Sequence, residues 1–177
     1  MADSRRSDPR HIRAARRAAF PVVRARRPSP GRHHPASAAD VRKALATFGE
    51  EAYYGLESVE LMPAPPTGGR LVFGELVGPG QIRLYDQPLP PWRLPSALSK
   101  HERTELRDAG ADLSEDGVVS WPADSLRRFM LAHVLTHELG HHVLQHERRL
   151  RGERATRTRE HEARADVVAT RLRELLD

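Results

Sequence analysis

The chain contains no cysteine. Disulfides, thiolate zinc fingers and a cysteine nucleophile are therefore excluded together. The absence also fits a reducing compartment, so a cytoplasmic location is expected. No run of about eighteen apolar residues is present, so neither a membrane-spanning helix nor a membrane partner is expected. The N-terminal region has no apolar stretch of the kind a secretory leader requires. Acidic residues are scarce there too. Residues 1–35 hold ten arginines against Asp3 and Asp8, a balance of +8, which leaves −3 for the rest of a chain of net charge +5. The basic character therefore belongs to one end and not to the body.

What remains is polar but foldable. The 177 residues are 38% hydrophobic and 30% charged, enough for one domain with a modest core. Residues 1–36, rich in Arg and Pro, read as a disordered basic tail. Their arginines can attract nucleic acid or another acidic partner without a fold. Order is expected over 37–177. Ser37, with Asp40 three residues on, has the pattern of a helix N-cap. Val41, Leu45 and Phe48 follow at helical spacing, and Gly55 closes the element.

Three β-type runs come next, "SVELMPA", "RLVFGELV" and "QIRLYDQ", separated by Pro- and Gly-rich turns. The prolines of "PLPPWRLPS" rule out a helix or a central strand. A short helix is predicted over Lys100 to Asp108, and "GADLSEDGVVSWP" reads as a loop. The strongest helical pattern runs over about residues 122–147, and a last helix over about 156–176. The expected class is α+β.

Four of the ten histidines fall in "LTHELGHHVLQHE", with His133 just upstream. Helical residues four apart lie one above the other. That spacing relates His133 to His137, His137 to His141, and His142 to His146. Chemistry separates the pairs. A metal ion that activates water needs a general base beside it, and only His137 is followed at once by a carboxylate, Glu138. "HELGH", His137 to His141, is thus the pair with hydrolytic chemistry attached. The competing reading is a His-rich, solvated helix face. His142 and His146 point elsewhere and are expected toward solvent or substrate.

A catalytic zinc site takes three protein ligands and leaves one position for water. Glu160, His161, Glu162 and Asp166 are all chemically able to supply the third. Glu162, Ala165, Asp166 and Ala169 share one helical face, and the alanines would permit close helix contact. Glu160 and His161 point away from it. Glu162 is therefore the expected ligand. Asp166, one turn on, is placed to orient a ligating imidazole. The alternative is that these acids pair with neighbouring arginines.

The set His137, Glu138, His141, Glu162 and Asp166 resembles the HExxH zincin metallopeptidases of the gluzincin type. "EARADVVA" is similar to the ExxAD segment of the CAAX prenyl protease and HtpX-like families. "HELGHHVL" with "EHEARADVVATRLREL" resembles the compact minigluzincins and ImmA/IrrE-like metallopeptidases, whose size is closer. The resemblance covers about residues 120–177. It implies a zincin-like domain binding one Zn²⁺ per chain through His137, His141 and Glu162. It implies hydrolysis of a protein or peptide substrate, with Glu138 as general base. It also implies a sheet edge that pairs with extended substrate, expected at residues 81–86 and involving Gln81, Arg83 and Tyr85. The Tyr or His that larger gluzincins place after the third ligand is missing. Tyr85, His101 or His161 would have to fill that role. Two rivals remain: a regulatory or nucleic-acid-associated protein, and a structural zinc domain closed by His161.

Overall fold

The computed structural model describes residues 19–66, 72–94, 100–122, 124–150 and 159–176. It mixes helices with small sheets, as expected of the α+β class. Four strands form the main sheet: β1 (Val22–Ala25), β3 (Ser58–Met62), β5 (Gln81–Tyr85) and β4 (Gly74–Gly78), in that spatial order. The β1–β3 and β3–β5 pairs are parallel, and β4 runs antiparallel to β5.

The sheet is one-sided. Val23, Val59, Leu61, Leu76, Ile82 and Leu84 alternate with polar neighbours and are buried. On the opposite face Glu60 and Glu75 flank Arg83 in register. Helix α1 (Ala38–Phe48) covers part of the apolar face with Val41, Ala44, Leu45 and Phe48. Its start is as expected: the Ser37 hydroxyl accepts from the Asp40 amide, and the Asp40 carboxylate accepts from the Ser37 amide. It ends at Gly49, and a single turn, α2 (Glu50–Tyr53), leads to Gly55.

The expected tail over 1–36 needs correction. Residues 1–18 lie outside the described residues, but 19–36 are built into the fold. Strand β1 closes one edge of the sheet, and β2 (Arg32–His33) pairs with β6 (Gln87–Pro88). Beyond that strand pairing, the segment is held by Asp86, which is wholly buried. It accepts from the amides of Ser29 (2.6 Å) and Ala64 (3.0 Å) and from Arg32 Nε (2.6 Å). Burial alone would raise its pKa, but those donors outweigh it and hold the carboxyl at about 2. Arginine content suggested a free arm; one arginine is instead the partner of a buried acid.

A second correction concerns "GADLSEDGVVSWP". It forms a hairpin, β8 (Asp112–Leu113) and β9 (Val118–Ser120), that pairs with β7 (Trp92–Arg93). Buried Val119 and the positive-φ turn residue Gly117 supply the strand and the bend. Helix α3 (Lys100–Asp108) stands where the sequence predicts it.

The long helix is not uniform. It begins as α4 (Ser125–Phe129), widens into a π-helical turn (Met130–Leu135), and continues as α5 (Thr136–Leu150). Leu135 and Leu139, one turn apart, are completely buried under the sheet layer. Such burial contributes about 2 kcal/mol for each side chain. The last helix, α6 (Arg159–Arg173), packs against α5 through Ala165, Ala169 and Leu172. Among the described residues no helix is long and apolar enough to cross a membrane.

Candidate metal centre

The π-helical turn sits immediately before the histidine pair. Such turns are rare and recur at functional sites. One full α-turn then carries His137 and His141 to the same side of α5. Their rings meet edge to face, with centroids 4.6 Å apart. Their Nε2 atoms converge to 3.0 Å.

Helix α6 brings the third group. Its close approach depends on Gly140: a Cβ there would lie 2.4 Å from the Ala165 carbonyl oxygen. With Gly140 opposite Ala165, the Glu162 carboxylate reaches the imidazoles. Its Oε2 lies 3.3 Å from His141 Nε2 and 3.8 Å from His137 Nε2. A tetrahedral ion bound at about 2.0–2.2 Å needs its ligand atoms about 3.4 Å apart. The observed triangle has that size, and these three residues form a group able to hold a metal ion.

The imidazole protons matter equally, because only the unprotonated nitrogen can ligate. Asp166, one turn beyond Glu162, accepts a hydrogen bond from His137 Nδ1 at 3.0 Å. This puts the proton on Nδ1 and leaves the Nε2 lone pair facing the centre. The residues present thus fit a metal ion in donor type and spacing, and His137 also in tautomer.

Glu138 is buried and lines a cavity of about 560 Å³ that also contains His137 and Asp166. The pair expected from "HELGH", the ligand expected on the last helix and its orienting acid are therefore all brought together. Glu160 is exposed on α6 and lies outside the cluster.

Several expectations fail here. Gln81, Arg83 and Tyr85 do not form a sheet edge, because β5 is flanked by β3 and β4. Alternation places Arg83 and Tyr85 on the face opposite Ile82 and Leu84; Arg83 is partly exposed there, whereas Tyr85 is itself buried. The Tyr85 hydroxyl donates to Glu75, and burial with that hydrogen bond pushes its pKa up to about 12. Among the described strands the edges are β1 and β4, and the antiparallel direction of β4 was not revealed by the sequence. His161 does not join the ligand triangle. It is buried with its ring stacked on His141, centroids 5.1 Å apart and planes within 11°. That position is no support for a site closed by His161. His101 lies on α3, and its side chain is outside what the structure describes.

His142 is not turned to solvent or substrate. It is almost fully buried, and its Nε2 donates to the Tyr54 carbonyl at 3.1 Å. Burial lowers its pKa. Beside it the ring of His146 lies against Gly55, where a Cβ would come within 2.5 Å of the imidazole. Gly55 also has φ +78°, so this turn requires glycine twice over. Together His142 and His146 fasten α5 to the turn after α2.

Two charged cavity residues, Asp108 and Arg173, were missed from sequence; His133, read there as a buried or supporting imidazole and not a ligand, also lines the cavity and lies outside the ligand triangle. His133 stacks on Phe129, and burial, then the charge of Arg173, lowers its pKa to about 4. Arg173 was legible in principle. The stripe Glu162, Asp166, Ala169 continues to 173 at the same helical spacing.

Compared with known proteins, the chain matches no family, no curated protein and no solved structure. Only the geometry and chemistry of its own residues bear on what the cluster does.

Proposed function

We propose that this chain is a zinc metallopeptidase with a compact, zincin-like domain of the gluzincin type. One observation carries the reading. His137 Nε2, His141 Nε2 and Glu162 Oε2 converge as a metal-sized triangle beside a cavity that Glu138 lines. Three protein ligands next to open space suit catalysis better than structure, because a fourth position is left for water.

Zinc, when bound, supplies a Lewis acid and lowers the pKa of water at the open position. The chain's own groups do the rest. His137 and His141 contribute neutral imidazoles, and Asp166 keeps His137 in the ligating tautomer. Glu162 adds a negative charge that offsets part of the cation's. Glu138 accepts the proton of the attacking water and delivers it to the leaving amine nitrogen. Its burial keeps it close to the reacting atoms and short of solvating water.

The peptide would lie along β4 instead of β5. The Tyr85 amide donates to the Phe73 carbonyl, so Phe73 and Glu75 turn their backbone groups toward β5. Gly74 and Leu76 then turn theirs outward. Among the described residues no strand pairs with that side. An extended substrate can add there, and Gly74 itself lines the cavity.

The test is zinc content and hydrolysis of a mixed protein library, with wild type beside Glu138→Gln. Zinc in both proteins and turnover only in wild type is the expected result. No zinc after purification and none taken up on dialysis would end the proposal.

A further inference from the structure

We propose that Arg173 is the specificity-determining residue of the cavity and receives a carboxylate of the substrate. The inference rests on the peptidase reading and deepens it by naming a substrate class. Glu162, Asp166, Ala169 and Arg173 form one stripe along α6, and the last three line the cavity. Eleven residues of helix rise span about 16 Å. Long helical side chains lean back toward the N-terminus, so the guanidinium comes closer to the metal cluster than its Cα does. Small Ala169 leaves the floor between them open. The distance suits an extended peptide with its scissile bond at the cluster and a carboxylate about four or five residues away, at about 3.3 Å per residue.

The guanidinium is held in place. Arg173 Nε donates to the Ala132 carbonyl at 2.9 Å. Ala132 lies within the π-helical turn, where the shifted backbone pattern turns carbonyls away from their usual partners. Its oxygen also accepts from the Thr136 hydroxyl at 2.7 Å. The π-helical turn thus aims Arg173 and occupies only Nε, leaving the two Nη groups for a ligand. Among the described residues Arg173 forms no ion pair. Asp108, on the cavity rim, is exposed and is not its partner.

The walls bear on how such a charge would discriminate. Phe73, Leu106, Phe129 and Val134 supply the apolar part of a lining that is as polar as it is apolar, and that also carries the carboxylates of Asp108, Glu138 and Asp166. A carboxylate entering there meets, in Arg173, a cation able to bind it bidentately. A neutral ligand leaves the guanidinium without a counter-charge. The chemistry is common to a C-terminal carboxylate and to an Asp or Glu side chain, so the experiment must separate them.

Four short peptides with one apolar frame would be used, ending in glutamate or glutamine, each as free acid and as C-terminal amide. Binding is measured by fluorescence anisotropy to the zinc-loaded full chain carrying Glu138→Gln, so that turnover does not interfere. The peptide without a carboxylate is expected to bind about ten- to hundredfold more weakly than the preferred acid. The glutamine free acid against the glutamate amide tells terminus from side chain. Adding Arg173→Gln should erase the preference, and Arg173→Lys should retain part of it. Equal binding of all four peptides overturns the proposal, as does binding of none. A preference that survives Arg173→Gln also overturns it, because the carboxylate is then held by the ion. If Arg173→Gln fails to fold, the peptide comparison and Arg173→Lys still decide. Cleavage by the wild-type chain is read separately. Preference without cleavage removes the peptidase reading and leaves the carboxylate site standing.

Discussion

Gly140 and Ala165 meet backbone against backbone, and a Cβ at position 140 would press to 2.4 Å from the Ala165 carbonyl oxygen. Glycine inside a helix normally costs about 1 kcal/mol relative to alanine. Here the sign should reverse. Gly140→Ala forces α6 outward and carries Glu162 away from the imidazoles. We expect a lower Tm and at least tenfold weaker zinc binding, roughly the loss of a well-placed ligand. A stabilised variant with unchanged zinc affinity would show that the helices are not in this contact.

The acids around the cluster should separate by rank. Glu162→Ala removes a ligand and should reduce zinc affinity most. Asp166→Ala should reduce it about 10- to 100-fold, by releasing the His137 tautomer. Glu160→Ala should have little effect. His161→Ala should keep the ion, since that ring stacks on His141 outside the triangle. Zinc-competition titrations order the four, and a loss at His161 greater than at Glu162 would contradict the assignment.

Glu138→Gln should retain fold and zinc while turnover falls about a hundred- to ten-thousandfold, the usual loss for a missing general base. Near wild-type hydrolysis in that variant would remove Glu138 from the mechanism.

How far the sequence could be read depended on whether the signal was local. The Ser37–Asp40 cap and the helical stripe of Glu162, Ala165 and Asp166 depend on neighbours within one or two turns, and both are observed. The HExxH spacing is equally local, and its pair converges as expected. Strand order is not local. Nothing in "QIRLYD" says that β3 and β4 will flank it, so Gln81, Arg83 and Tyr85 were misplaced at an edge. The buried His142 was missed because its partner, Tyr54, lies in a distant turn. The same holds for residues 19–36, whose order comes from remote partners: β3 beside β1, β6 beside β2, and the Asp86 carboxylate.

That carboxylate makes deletion informative. Removing residues 1–36 takes away β1 and the Ser29 and Arg32 partners of buried Asp86. A marked fall in Tm is expected, whereas removing residues 1–18 alone leaves every one of those contacts intact. Chemical denaturation of the two truncations distinguishes them; equal stability would show that β1 adds nothing.

Acid should weaken the fold in two stages. The folded state keeps His133 neutral down to about pH 4, while an unfolded histidine takes its proton near the ordinary value of 6.5. The unfolded chain therefore binds more protons between those values, and stability drops as pH falls through them. Asp86 acts later, between its ordinary value of 3.8 and about 2, with the same sign. Thermal melts of metal-free protein should decline below pH 6.5, and His133→Gln should flatten the upper part of that decline. An unchanged slope would assign the effect to other groups.

Because His137 and His141 ride on α5 while Glu162 rides on α6, any ion they share is also a crosslink between two helices. Its affinity must include the work of seating α6, and seating α6 must become easier by the free energy of binding. Local opening of α6, visible as amide hydrogen exchange, should then be suppressed by metal far more than exchange in the sheet. Chelation would loosen the last helix before the rest of the molecule gives way.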